Sequence, residues 1–221
     1  MRVLVVVAHP DDETIWAGGA ILRHRNWEWT ALSLCRSDDP DRAPRFAAAT
    51  RALGAAGIIS DLDDSPVPFV LSAGLDEIKS RVLDLLPSRD YDFILTHGER
   101  GEYTRHERHE QVHTAVSDLV ARRELAGRLA FFAYEDGGGA YSPIPAPDAD
   151  LLLRLTDEEF EVKRRIVSEI YGFGVGSFEY SACGDVEAFR AYNRSGTRSE
   201  LRPLEEFERK RGKGFAYTHS L

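Results

Sequence analysis

The apolar run at residues 3–8 ends abruptly in the polar residues 9–13, which read His-Pro-Asp-Asp-Glu. Such a run is typical of a strand buried on both faces, and in open α/β sheets ligands bind at the carboxyl ends of the strands. Imidazole and carboxylate groups bind metals, and a carboxylate that binds no metal can accept a proton. His9, Asp11 and Asp12 therefore have the residue types of a metal site with a neighbouring base.

A second polar cluster contains three histidines, His106, His109 and His113, and it follows another apolar run at residues 93–96. His109 and His113 are four residues apart, which places them on one face of a helix. Because each cluster directly follows a predicted strand, we expect the two clusters to form one site. For the first cluster an alternative remains, since acids near residue 14 would also cap the helix predicted to begin there.

The elements that would position these clusters alternate between strand and helix. Strands are predicted over residues 2–8, 27–35, 58–62, 92–96 and 129–134, and helices over 14–25, 43–56, 75–86 and 108–122. This alternation predicts an α/β fold of the Rossmann-like, three-layer kind, with a mostly parallel sheet and right-handed crossovers. No G-x-G-x-x-G sequence follows the first strand, which argues against a bound dinucleotide.

The rest of the chain has weaker patterns. Residues 135–150, rich in Gly and Pro, are expected to form a loop, residues 156–171 a helix and residues 185–192 a short helix. We expect one domain over residues 1–221, with its core in residues 1–135 and a C-terminal extension in residues 136–221. The charged stretch 198–214 is a candidate subunit contact, so a homo-oligomer remains an open alternative.

Composition excludes several classes of protein. Of the 221 residues 43% are hydrophobic and 29% are charged, as in a globular protein. The net charge of -9 argues against a nucleic-acid-binding protein, which usually has a basic face. No apolar run approaches the ~18 residues of a membrane-spanning helix, and the two cysteines make no disulfide framework. A cytoplasmic protein that acts on a small molecule is expected.

Both clusters resemble motifs of the PIG-L / LmbE-like family of zinc-dependent N-acetylglucosamine deacetylases. Residues 8–13 match the family signature A-H-P-D-D-E at every position. The second family motif commonly reads G-E-Y-G-H-P-D-H, with a further His three residues later, and residues 101–113 keep its H-x-x-H spacing. One residue is added before His106, and Glu107 and Arg108 replace the Pro and Asp of the family. The resemblance covers residues 1–135 well and the remainder weakly.

The resemblance implies a catalytic zinc held by His9, Asp12 and His109, with one position left for water. It implies that Asp11 is the general base, and that His106 stabilises the oxyanion or protonates the leaving amine. The expected reaction removes an N-acetyl group from an N-acetylglucosamine-containing small molecule. Iron, cobalt and manganese also suit such ligands, so the metal is not fixed by the sequence.

Other residues have open roles. The family commonly has a substrate-binding arginine near Arg45, although a solvated helix face fits Arg45 slightly better. Several aromatic residues could stack on a sugar ring or simply belong to the core or rim, namely Tyr103, Trp16, Tyr134 and Tyr141. His113 either supports His109 or is an ordinary helix residue. The resemblance implies that an Asp at the position of Arg108 orients the His at the position of His106. Since Arg108 cannot accept a hydrogen bond, Glu102 or Glu107 could take over that role.

Two other functions fit the same residues. One is a metal-dependent amidase acting on a non-sugar N-acyl substrate, and the other is a non-catalytic binding protein that retains the metal. The presence of Asp11 argues against the second, because a site that only binds has no need of a free base.

Overall fold

The structure is a computed structural model that describes residues 1–64, 74–104 and 106–192, together with Leu201 and Pro203. Its strands are β1 (Arg2–Val7), β2 (Glu28–Cys35), β3 (Ala56–Leu62), β4 (Asp90–Thr96), β5 (Ala126–Phe132), β6 (Tyr134–Glu135), β7 (Ile144–Pro145), β8 (Leu151–Arg154) and β9 (Val186–Ala191). Its helices are α1 (Asp12–Arg23), α2 (Arg42–Leu53), α3 (Leu75–Leu85), α4 (Glu107–Ala121), α5 (Asp157–Arg165) and α6 (Phe178–Ala182). A π-helical turn, Ile166–Ile170, continues α5. The charged stretch 198–214 lies outside the described residues except for Leu201 and Pro203.

Seven strands form one sheet in the order β3-β2-β1-β4-β5-β9-β8. The first five of these pair in parallel, and β9 pairs antiparallel with both β5 and β8. This confirms the prediction of an α/β fold with a mostly parallel sheet. The order β3-β2-β1-β4-β5 is that of doubly wound folds, and its switch point lies between β1 and β4.

The core lies on both faces of this sheet. Val3, Val5 and Val7 of β1 pack on one face, in a cluster that includes residues of α1, α2 and the C-terminal segments. Leu4 and Val6 pack on the other face with residues of α3 and α4. Each of these five side chains is at most 1% exposed. The strand is therefore apolar throughout because a helical layer covers each face, which gives the predicted three layers.

The prediction of a helix over residues 185–192 is wrong, because Val186–Ala191 form β9. The buried charge of Glu187 in this strand obscured the apolar pattern, since Glu187 is 0% exposed. No element was predicted for Leu151–Arg154, which form β8. The segment described as a C-terminal extension thus adds two strands to the central sheet. Among the helices of the described residues, none has the length and apolar character needed to cross a membrane.

Both oxygens of the buried Glu187 carboxylate accept hydrogen bonds from other parts of the protein. One carboxylate oxygen accepts hydrogen bonds from the Lys163 ammonium at 2.7 Å and from the Gly19 N–H at 2.6 Å. The other oxygen accepts from the Ala20 N–H at 2.8 Å. A Cβ on Gly19 would lie 2.2 Å from the Leu155 side chain, so glycine is required where α1 approaches the edge of the sheet. The network ties the C-terminal strands to the first helix.

Replacing Lys163 with Met should lower the free energy of unfolding by about 3–5 kcal/mol, because it leaves the Glu187 carboxylate buried without its cation. Urea unfolding followed by circular dichroism would measure the loss. The double variant Lys163→Met/Glu187→Gln should recover a large part of it, since no charge is then buried. Equal losses in the single and double variants would contradict this account of the pair.

Candidate active site

The two predicted clusters meet at the carboxyl ends of β1 and β4, which are neighbours at the switch point of the sheet. Residues 9–13 lead from β1 into α1, residues 97–104 follow β4, and His106 directly precedes α4. A cavity of about 210 Å³ lies between them, and its lining includes residues of both clusters. The topology therefore brings together segments about 90 residues apart in sequence, as His9 and His97 show.

Three side-chain atoms of the predicted metal ligands converge beside this cavity. His109 Nε2 lies 3.3 Å from both His9 Nδ1 and Asp12 Oδ2. His9 Nδ1 lies 3.4 Å from Asp12 Oδ2. Ligand atoms about 2.1 Å from a tetrahedral metal would be about 3.4 Å apart. The spacing of the three atoms therefore fits a shared cation.

Each imidazole forms a hydrogen bond to a carboxylate through the nitrogen that points away from the convergence. His9 donates its Nε2–H to Asp64 at 3.0 Å, and His109 donates its Nδ1–H to Glu102 at 2.7 Å. The other oxygen of Asp12, Oδ1, accepts the Trp16 indole N–H at 3.0 Å. In their neutral forms both imidazoles would present these facing nitrogens as lone pairs beside the Asp12 carboxylate. That donor set fits a divalent metal.

The charges around these atoms also favour a cation. Burial would lower the pKa of His109, but the carboxylates of Asp12 and Glu102 raise it to about 10. For Asp12 the effect of burial is opposite and would raise the pKa, yet interactions with His109 and His9 hold this pKa well below its usual range. The site therefore stabilises positive charge.

Glu102 is a fully buried carboxylate behind His109. Its Oε2 accepts the Nδ1–H of His97 at 2.9 Å as well as that of His109, and its Oε1 accepts the Gly98 N–H at 2.8 Å. Against the effect of burial, the two histidines lower the pKa of Glu102 to about 2. His97 accepts the Ala8 N–H at Nε2. Because that nitrogen is already engaged, His97 supports Glu102 and is a poor metal ligand.

Asp11 lines the same cavity and is held in an unusual conformation, with φ at 121°. Positive φ at a residue other than glycine costs about 1–3 kcal/mol and is concentrated at functional sites. Asp11 occupies the N-cap position of α1, yet its side chain makes no capping hydrogen bond, which disfavours the simple capping alternative. Burial and the charges of Asp12 and Glu13 raise the pKa of Asp11, so this carboxylate binds a proton more readily than usual.

His106 packs against two of the predicted ligands, with ring centroids 4.9 Å from His9 and 4.3 Å from His109. Burial lowers the pKa of His106 to about 3, so the ring is neutral. Among the described residues its buried Nδ1 has no hydrogen-bond partner. The expectation that Glu102 or Glu107 orients His106 is not met, because Glu102 bonds the other histidines and Glu107 is exposed.

Arg108, which stands where the family has Asp, turns away from His106. Its guanidinium donates to the side-chain oxygen of Gln111 at 2.6 Å and to the backbone carbonyl of Asp63. His113 donates its Nδ1–H to the carbonyl of His97 at 2.9 Å. His113 thus supports the backbone after β4 and makes no hydrogen bond to the imidazole of His109.

Arg42, and not Arg45, faces the cavity. Arg45 donates to the carboxylate of Asp41 and to the carbonyl of Ile170, both at 2.8 Å, and it is absent from the cavity lining. The expectation for Arg45 as a substrate contact is therefore not supported. Arg42 lines the cavity 3.9 Å from Asp11 Oδ2, and its buried Nη1 has no hydrogen-bond partner within the described part of the chain. A buried donor without a partner suits a ligand oxygen.

The aromatic candidates differ in their surroundings. Tyr103 lines the cavity, with its ring centroid 4.5 Å from that of Phe178. Trp16 also borders the cavity, but it is 0% exposed and is engaged with Asp12. Tyr134 packs against Trp16 at 4.8 Å, and Tyr141 is 44% exposed. Tyr103 is thus the aromatic candidate best placed to contact a ligand.

Sequence reasoning missed several residues of the cavity, among them Asp64, Phe178 and Glu179. Asp64 comes two residues after β3, so its position at a strand end was the signal that could have found it. Phe178 and Glu179 begin α6 and follow no strand, and the sequence carried no comparable signal for them.

The fold and the site define a doubly wound α/β protein with a candidate metal site at its switch point. Residues 4–120, more than half of the 221 residues, match the family described as PIG-L: GlcNAc-PI de-N-acetylase. The chain belongs to the PIG-L family. No curated protein matches it.

Solved structures share the fold at low identity. The 4-carboxy-2-hydroxymuconate hydratase GalB from Pseudomonas putida KT2440 has a TM-score of 0.62 and 16% identity, covering 89% of this chain and 98% of that one. A deacetylase of the teicoplanin biosynthesis pathway has a TM-score of 0.60 and 12% identity, with coverages of 88% and 100%. The N,N'-diacetylchitobiose deacetylase from Pyrococcus horikoshii has a TM-score of 0.54 and 15% identity, and the match covers 86% of this chain and 83% of that one. The shared fold thus includes deacetylases and a hydratase.

Proposed function

We propose that the protein is a metal-dependent hydrolase that removes the N-acetyl group from an N-acetylglucosamine-containing small molecule. The observation that supports this most is the convergence of His9, Asp12 and His109 atoms at 3.3 and 3.4 Å beside the strained Asp11. Membership of a family described by GlcNAc-PI de-N-acetylation supports the type of substrate. The three residues would hold the metal, and zinc is the ion that we expect.

A bound zinc ion would supply Lewis acidity that polarises the amide carbonyl and acidifies water. Asp11 accepts the proton of the attacking water, since its carboxylate has a raised pKa and caps no helix. Asp11 then gives that proton to the nitrogen of the leaving amine, so that acetate and a free amine result. His106 is neutral because burial lowers its pKa, and it donates a hydrogen bond to the developing oxyanion.

The cavity suits a small polar substrate. Its volume is about 210 Å³, and charged side chains line it beside the paired rings of Tyr103 and Phe178. These rings provide an apolar wall for one face of a sugar, and Arg42 Nη1, which has no hydrogen-bond partner among the described residues, can donate to a substrate oxygen. The wall and the arginine together favour a hydroxylated ring over a long apolar chain.

Acetate release from a panel of N-acetylglucosamine conjugates tests the proposal. The protein would be prepared metal-free, loaded with one equivalent of zinc, and checked by elemental analysis. Release that requires zinc is the expected result. Release only from N-acyl compounds without a sugar would favour the amidase alternative. Zinc-loaded protein that releases acetate from none of these compounds would contradict a deacetylase function.

Hydration of a small unsaturated carboxylate is a second candidate. Arg42 Nη1 favours it, because this atom has no hydrogen-bond partner in the described part of the chain and a guanidinium binds carboxylates well. The fold is also that of a hydratase, although at 16% identity. Loss of the ultraviolet absorbance of a conjugated dicarboxylic acid would reveal this activity. In that reaction Asp11 would again take the proton of the water, the hydroxyl would add to one alkene carbon, and the proton would pass to the other.

Replacing Asp64 with Ala should weaken zinc binding by about 10–100-fold, because His9 loses the acceptor that fixes its tautomer. Competition with a fluorescent chelator would measure the affinity. The matched control is Asp61→Ala, since Asp61 lies in β3 and pairs with Arg81 at the surface. If both variants bound zinc as tightly as the parent, Asp64 would have no role in holding His9.

A further inference from the structure

Glu13 is a buried acid that the proposed mechanism does not use. It is 0% exposed, and its Oε2 accepts the Asp11 N–H at 3.0 Å. Its Oε1 accepts the hydroxyl protons of Tyr171 at 2.7 Å and of Thr14 at 2.5 Å. This carboxylate therefore connects Tyr171, at the end of the π-helical turn, to the backbone of Asp11.

The connection bears directly on the strained backbone of Asp11. A residue at φ 121° keeps that conformation only where the surrounding structure holds it. The bond from Asp11 N–H to Glu13 is such a restraint, and the two hydroxyl donors hold the Glu13 carboxylate in place. Without the Tyr171 hydroxyl, a buried carboxylate would lose a donor and would be free to turn away from the Asp11 N–H.

The residues around Tyr171 also contact two arginines of α2, Arg42 and Arg45. The ring centroid of Phe173 lies 4.5 Å from the guanidinium carbon of Arg42, and the carbonyl of Ile170 accepts from Arg45. Gly172 has φ at 83°, and a Cβ there would lie 2.9 Å from Arg45 Nη1. The glycine thus permits both the backbone conformation and the close packing on Arg45.

We propose that residues 170–173 are a positioning element for the site, although they lie outside the part of the chain that matches the family. Tyr171 acts through Glu13 on the conformation of Asp11, and Phe173 holds Arg42 at the cavity. The two contacts are separate, so the two residues affect different steps. The kinetic consequences rest on the proposed function, whereas the structural consequences do not.

Tyr171→Phe, Phe173→Leu and the control Tyr91→Phe test this element, with N-acetylglucosamine as the substrate probe. Tyr91 is also buried, but it lies near the amino end of β4, away from the site. Tyr171→Phe should lower kcat by about 10–100-fold with KM and zinc affinity unchanged, because the base is displaced. Phe173→Leu should instead raise KM by about 3–10-fold with little change in kcat, because Arg42 loses its stacking partner. Tyr91→Phe should match the parent.

Crystal structures of the parent and of Tyr171→Phe provide a readout without activity. We expect positive φ at Asp11 in the parent, and a displaced Asp11 carboxylate with a relaxed φ in the variant. If the zinc-loaded parent hydrolyses nothing but Asp11 moves as expected, the proposed function fails and the positioning role stands. If the variant keeps both the Asp11 conformation and the parent kcat, the positioning role is overturned.

Loss of stability must be separated from loss of position. A variant in which kcat, zinc affinity and melting temperature all fall together would also overturn the proposal, because that pattern indicates general destabilisation. Should Tyr171→Phe fail to fold, Phe173→Leu decides alone: a raised KM supports the element, and an unchanged KM overturns it.

Discussion

Replacing Asp11 with Asn should lower the turnover number by about 10²–10⁴-fold, the usual contribution of a general base, while bound zinc stays at the parent level. The amide of Asn cannot take the proton of the attacking water. Asn also tolerates positive φ, so the backbone at 121° should be kept and the loss assigned to the chemistry. Initial rates of acetate release, together with elemental analysis of the same samples, would measure both quantities.

The matched control for this substitution is Asp38→Asn, an equal loss of charge at an exposed acid in the loop after β2. It should leave turnover unchanged. An Asp11→Asn variant with parent turnover would exclude Asp11 as the base. A variant that lost both zinc and turnover would instead indicate that Asp11 contributes to metal binding.

The residues whose roles could be predicted from the sequence are those with short-range signals. The apolar strand β1 and the polar residues after it are adjacent in the chain, and so are β4 and its histidine cluster. Because parallel strands at a switch point place their carboxyl ends together, two such local patterns were enough to predict a joint site. The close approach of His9 and His109, at 3.3 Å, agrees with that inference.

The residues that were missed depend on contacts far apart in sequence. Asp64 lies 55 positions from His9, and Tyr171 lies 158 positions from Glu13. No periodicity within either segment reports such a contact. The error at β9 has the same origin, since Glu187 is buried in a strand only because Lys163 and the α1 backbone supply its partners.

The distinction between Arg45 and Arg42 is a different case, because both residues lie in the first turn of α2. Residues three apart on a helix are neighbours, so a motif that places an arginine in this region cannot separate them. Residues 170–173 distinguish the two arginines. The Ile170 carbonyl accepts a hydrogen bond from the Arg45 guanidinium, whereas the Phe173 ring stacks on Arg42. Only the tertiary structure carries that information.

Replacing His109 with Ala should abolish tight zinc binding. It removes one of three proposed ligands. The loss of zinc affinity should therefore exceed the ~100-fold expected when only a residue that hydrogen-bonds to a ligand is changed. It also leaves the buried carboxylate of Glu102 with one donor fewer, since His97 and the Gly98 N–H remain. Isothermal titration with zinc would measure the affinity directly.

The control for this variant is His113→Ala, one helical turn further along α4, where the imidazole bonds to the His97 carbonyl. Because a ligand that binds only the folded state stabilises it by an amount that grows with its concentration, added zinc should raise the melting temperature of the parent and of His113→Ala. It should leave that of His109→Ala nearly unchanged. An equal rise in all three proteins would place the metal elsewhere, and the role of Asp11 as a base for metal-assisted hydrolysis would lose its foundation.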